Sequence, residues 1–142
     1  MLKGIPTILS PELLKILTET GHGDEIVIAD GNFPAASHAQ RLVRCDGHGA
    51  PQILGAILQL FPLDSFVKHS VALMAVVPGD NYTPEIWPAY KKIIQAQDSH
   101  FTDFEMMERY AFYERAKKAY AIVATGELAR YASLILKKGL LP

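Results

Sequence analysis

Apolar and polar positions change period several times along the chain, and each change marks an element. Ser10-Pro11-Glu12 opens a helix, with Ser at the N-cap, Pro at the first helical position and an acid in the first turn. Leu13, Leu14, Ile16 and Leu17 form its apolar stripe, and Gly21 is placed to stop it. The run Ile26-Val27-Ile28 predicts a short buried strand over 25–30. Residues 32–37 read as a loop or a short turn of helix, and 41–45 as a weaker strand. Helical spacing returns over 51–60, with Ile53, Leu54, Ile57, Leu58 and Phe61 on one side.

The second half repeats the pattern. Val71 to Val77 predicts a strand, and Pro78-Gly79-Asp80-Asn81 a turn. Thr83-Pro84-Glu85 signals a helix reaching about Gln97, with Pro88 arguing for a start beyond the capping signal. Residues 112–118 read as helix, 120–124 as strand, Gly126-Glu127 as a turn and 134–136 as a last strand. Alternating helices and strands predict an α/β fold, a central sheet covered by helices. Ligands in such folds favour the loops at strand ends.

The 142 residues fit a single domain, 1–142, and an apolar share of 49% is enough for a real core. The net charge of -1, with acids and bases interspersed, carries no basic block for nucleic acid. The single cysteine, Cys45, cannot form an internal disulfide and has no activating neighbour. No apolar run is long enough to span a bilayer, and Met1 to Pro6 lacks the apolar run of a signal peptide. A cytoplasmic protein that binds neither nucleic acid nor membrane is the expectation.

Candidate chemistry begins at Gly21-His22-Gly23-Asp24-Glu25, a histidine between two glycines before a buried strand. Imidazole ordinarily titrates near neutrality, which suits proton transfer, and Asp24 is close enough in sequence to orient it. The same residues also read as a helix stop, a solvated loop histidine and a turn. Asp30 ends the strand, either to accept from ligand hydroxyls or to close an Asx turn. Arg109, in Glu108-Arg109-Tyr110-Ala111-Phe112-Tyr113-Glu114-Arg115, offers a rigid fork of donors among aromatic rings, or begins an amphipathic helix. Tyr131 has a phenol to give a ligand, or packs at an edge. Asp46-Gly47-His48-Gly49 reads as a flexible loop. No Walker loop, Gly-x-Ser-x-Gly elbow or dinucleotide fingerprint is present.

Taken together and in order, these pieces resemble the ribose pyranase and fucose mutarotase (RbsD/FucU) family, on its fucose branch. The resemblance rests on Met1-Leu2-Lys3, Ser10 to Lys15, Gly21 to Glu25, Asp30 with Phe33-Pro34-Ala35, and Phe61-Pro62-Leu63-Asp64. It continues through Val77-Pro78-Gly79-Asp80, Arg109 to Ala116, Thr125-Gly126-Glu127, Tyr131 and Leu136 to Gly139. It implies a mutarotase that opens and recloses the ring of a free monosaccharide, interconverting the α and β anomers of L-fucose, with a ribose pyranase that interconverts the pyranose and furanose rings of D-ribose or a related sugar as the alternative. It implies no metal and no organic cofactor, and a homo-oligomer, a decamer of two pentameric rings. His22 falls on the family's catalytic histidine, and Asp30 and Arg109 on sugar-binding positions. Tyr131, Ala132 and Ser133 fall on a sugar-contacting Tyr-x-Asn segment, with Ser133 where Asn is expected; Asp24 and Tyr113 are supporting side chains. The departure at Ser133 leaves a non-catalytic sugar-binding ring protein as the rival reading.

Overall fold

The computed structural model describes residues 1–142. In chain order its elements are α1 (Pro11–Glu19), β1 (Glu25–Ala29), α2 (Ala35–His38), β2 (Leu42–Cys45), α3 (Ala50–Leu58) and β3 (Val71–Met74), followed by α4 (Ile86–Gln97), β4 (Glu105–Met107), α5 (Arg109–Lys118), β5 (Ala121–Thr125) and β6 (Leu134–Lys137). The strands form one sheet in the order β2-β5-β1-β6-β3-β4. β1, β2 and β5 are mutually parallel neighbours, as are β3 and β4. β6 runs antiparallel to both β1 and β3 and joins the two parallel sets. Every strand but β6 therefore points its carboxyl end to the same edge.

Helices cover both faces, so the central strands need apolar side chains on both. One core layer packs Leu13, Ile53, Leu54, Ile57, Tyr90 and Ile94 of α1, α3 and α4 against Ile26, Ile28, Leu73 and Leu134. The other sets Phe112 and Ala116 of α5 and Ala35 of α2 against Val27, Ala72, Ile122 and Ile135. That is why β1 and β5 read as continuous apolar runs, whereas the edge strand β2 alternates. No helix is long and apolar enough to cross a membrane.

The Ser10 side chain accepts from Leu13 N–H, as the capping signal predicts. The exit from α1 differs from expectation. The cap is Thr20 in extended backbone, and the left-handed glycine is Gly23, with φ 88°. Gly21 is instead held by the Asp24 carboxylate, which accepts its N–H at 2.7 Å. α4 starts at Ile86, which puts Pro88 in the first turn, where a missing N–H costs no helical bond. β3 stops at Met74 rather than Val77, and α5 begins three residues earlier than predicted. β4 was not foreseen, because three residues at a sheet edge carry too little periodicity.

Candidate active site

The carboxyl edge of the sheet holds a cavity of about 220 Å³, the size of one small sugar. Asp30 enters it from the end of β1, Met74 and Val77 from β3 and the loop after it, and Arg109 and Tyr113 from the start of α5. Arg130, Tyr131 and Ser133 arrive from the approach to β6, and Asn32 and Phe33 complete the wall. Of the residues singled out in the sequence, Asp30, Arg109, Tyr113, Tyr131 and Ser133 meet here.

Asp30 closes a turn and also lines the cavity. Asn32 N–H donates to its Oδ1 at 2.9 Å, an Asx turn. Its Oδ2 accepts from the Ser133 hydroxyl at 2.9 Å, and its own N–H donates to the same Oγ at 3.0 Å. Ser133 is almost wholly buried, and its one proton is committed to Asp30. Ser133 thus fixes the carboxylate and has no proton left for a ligand.

Arg109 forms none of the six ion pairs of the chain. Its guanidinium lies 5.4 Å from the Tyr110 ring centroid and 5.7 Å from that of Tyr113. Tyr113 first, and then Tyr110, push its pKa above the ordinary arginine value, so it stays charged. Tyr113 is held edge-on to Phe33, with ring centroids 5.4 Å apart. Arginine and carboxylate donors and acceptors thus line one cavity with an apolar surface of Phe33, Met74 and Val77.

Tyr131 is the one non-glycine residue with positive φ, at 56°. Such a conformation costs a side-chain-bearing residue roughly 1–3 kcal/mol and persists only when its surroundings hold it. Here α4 does so: Trp87 Nε1–H donates to the Tyr131 carbonyl and the Tyr90 hydroxyl to the Ala132 carbonyl, each at 2.7 Å. Ala132 is fully buried and does not line the cavity, unlike the expectation for it. Its contribution is this carbonyl, bonded on the core side.

His22 lies elsewhere. It precedes β1, whereas Asp30 follows it, and the five residues between those ends span about 17 Å of strand. The imidazole sits at the opposite edge of the sheet, its Nε2 3.2 Å from Asp64 Oδ1 and its ring 5.6 Å from that of Phe66. Asp24, expected to orient the imidazole, is occupied with Gly21; Asp64 is the imidazole's partner. Burial pushes the Asp64 carboxyl up, but Phe66 N–H, His22 and Lys137 outweigh it and hold it below its ordinary range. An ionised Asp64 only accepts, so Nε2 carries the hydrogen and Nδ1 is the atom free to take a proton. The His22 side chain is 42% exposed and that of Asp64 5%. Asp64 carried a sequence signal in Phe61-Pro62-Leu63-Asp64, but nothing local tied it to a histidine 42 residues away.

A mixed sheet with a carboxylate, an unpaired guanidinium and a phenol in a sugar-sized cavity at its carboxyl edge makes an α/β protein whose cavity has the chemistry to bond a small polyhydroxylated ligand. The chain belongs to the RbsD / FucU transport protein family, whose model matches residues 3–141. It is 47% identical to the L-fucose mutarotase of Actinobacillus pleuropneumoniae serotype 5b over 142 residues, which is 100% of this chain and 99% of that one. The solved fucose mutarotase of Streptococcus pneumoniae in complex with L-fucose superposes with a TM-score of 0.93 at 53% identity, covering 99% of this chain and 100% of that one. Bacillus subtilis RbsD complexed with D-ribose superposes less closely, with a TM-score of 0.74 at 25% identity over the whole of both chains.

Proposed function

We infer that this chain interconverts the α and β anomers of L-fucose. The observation that carries this reading is the full-length similarity, at 53% identity, to a mutarotase solved with L-fucose bound. The cavity supports it chemically. L-Fucose has hydroxyls for Asp30, Arg109 and Tyr131 to bond and a methyl group for an apolar wall such as Phe33, Met74 and Val77.

Mutarotation takes a proton from the anomeric hydroxyl, gives one to the ring oxygen, and reverses both after the carbonyl turns. It forms no bond to the protein and needs no change of oxidation state. One positioned acid/base group typically supplies about 100- to 10,000-fold, enough for a reaction that already proceeds in water. His22 Nδ1 is that group in this reading. Its distance from Asp30 within one chain favours a site completed by His22 of a neighbouring copy in a ring. Exposed Phe66, Leu140 and Leu141 around the His22 edge, and exposed Tyr110, Leu128 and Val77 around the cavity, give both edges apolar surface to bury. A head-to-tail contact of this kind gives a ring where its rotation closes.

Saturation-transfer NMR of L-fucose with wild type and His22→Ala tests the reading. Acceleration by wild type that disappears in His22→Ala supports it, and an equal effect of both proteins overturns the role of His22. Mixing His22→Ala with Arg109→Ala then tests the shared site. Recovery of about a quarter of wild-type activity is expected, since one mixed site in four draws both intact residues. No recovery after subunit exchange would show a site within one chain.

A further inference from the structure

The turn Pro78-Gly79-Asp80-Asn81 lies outside the cavity, yet its acid is bonded to a residue within it. The Tyr131 hydroxyl donates to Asp80 Oδ2 at 2.6 Å, and Val77 N–H donates to the Tyr131 oxygen at 3.3 Å. Asp80 Oδ1 accepts from Tyr82 N–H at 3.0 Å, which closes the turn and fixes the carboxylate. Arg130 pairs with Oδ2 and lays its guanidinium over the Tyr82 ring, 4.6 Å from its centroid, and over Tyr131, 5.5 Å away. Tyr82 stacks on Tyr131 with ring centroids 6.0 Å apart. Beneath, Trp87 holds the Tyr131 carbonyl in its left-handed conformation.

We propose that Asp80 is a positioning residue for the sugar reaction, acting through Tyr131. A phenol donates one proton and accepts through its oxygen. Asp80 takes the proton, so the oxygen can meet a ligand only as an acceptor, a role it already plays for Val77 N–H. Tyr131 then selects a sugar hydroxyl that donates at that place, and disfavours a ligand presenting only an acceptor there. Arg130 and the turn keep Asp80 ionised and in place, and the aromatic stack keeps the ring from swinging into the cavity. The proposal rests on Tyr131 being a sugar contact, as the fucose reading has it.

The test is a double-mutant cycle on the full-length protein, reading KM and kcat for L-fucose exchange by NMR in wild type, Tyr131→Phe, Asp80→Asn and the double variant. Asn keeps an oxygen for Tyr82 N–H, so the turn survives, and thermal unfolding of each variant checks the fold. Each single variant is expected to raise KM about tenfold with kcat within about twofold, the loss of one hydrogen bond in binding. The double variant is expected to match Tyr131→Phe alone, because Asp80 acts only through the phenol. An Asp80→Asn effect that falls on kcat, or persists in the Tyr131→Phe background, overturns the proposal. An unchanged KM in Tyr131→Phe overturns it together with the Tyr131 contact, while acceleration by wild type still stands for the reaction. Failure of wild type to accelerate L-fucose exchange overturns the fucose reading and the proposal with it.

Discussion

Ser133 and Asp30, 103 residues apart, exchange two hydrogen bonds: the serine hydroxyl donates to the aspartate's Oδ2 and accepts from its main-chain N–H. The pair joins the end of β1 to the start of β6 and aims a carboxylate into the cavity. A serine stands where the family resemblance expects asparagine, and here it serves the carboxylate. Ser133→Ala removes both bonds from Asp30 and frees its rotamer. Its kcat/KM for L-fucose is expected to fall about tenfold, the worth of one well-placed hydrogen bond to a charged group. Steady exchange rates measured by NMR over a range of sugar concentrations check this; an unchanged ratio would make the pair irrelevant to binding.

The apolar wall of Phe33, Met74 and Val77 gives a second expectation. D-Arabinopyranose is L-fucopyranose without its methyl group, with the ring hydroxyls unchanged. Burying one such group is worth about 0.8 kcal/mol, so D-arabinose should show a KM about fourfold above that of L-fucose at similar kcat. Met74→Ala should narrow that gap. Equal KM values for the two sugars would place the methyl group in solvent.

Tyr90 is fully buried, and its hydroxyl donates to the Ala132 carbonyl at 2.7 Å. Burial, and then the charges of Glu127 and Asp30, push its pKa up, so it remains a donor throughout the working range. Tyr90→Phe keeps the ring but leaves that carbonyl unpaired. A loss of about 1–3 kcal/mol in stability is expected, read from urea unfolding midpoints. A loss confined to a few tenths would mean that the carbonyl finds another donor.

Two carboxylates respond to acid in the same sense. Asp64 is held below its ordinary range, with burial opposed by Phe66 N–H, His22 and Lys137; Asp80 is held down by the Tyr131 hydroxyl, Tyr82 N–H and Arg130. A group whose folded pKa is depressed adds stability that is complete above its unfolded value, about 3.9 for aspartate, and is lost as pH falls through the folded one. Stability should therefore decline below about pH 4, and the Asp64→Asn variant should show a shallower decline there. Urea midpoints across that range give the slopes; parallel slopes would mean that Asp64 is no better held in the folded chain than in the unfolded one.

Much of the fold was legible because its signals are local. Ser10-Pro11 caps a helix through atoms three residues away, and the central strands announce themselves as apolar runs because both faces are covered. Where the reading missed, a hydrogen bond or strand pairing that periodicity does not encode had intervened. Gly21 looked like the helix stop, but the Asp24 carboxylate holds its N–H and moves the left-handed residue to Gly23. Only pairing with β3 makes a strand of residues 105–107.

The candidate site divides in the same way. His22, Asp30, Arg109 and Tyr131 stood out by residue type and flanking pattern, which is chemistry that a linear sequence carries by itself. Which edge of the sheet each occupies was decided by strand order and direction. Reversed β6, lying between β1 and β3, brings 131–133 to Asp30 at one edge and Lys138 to Gly23 at the other. The partners Asp64 for His22 and Asp80 for Tyr131 come from chain segments 42 and 51 residues away. Local periodicity sets which face of a strand is buried, but pairing between strands depends on the whole packed sheet, so only the tertiary structure could assign those partners.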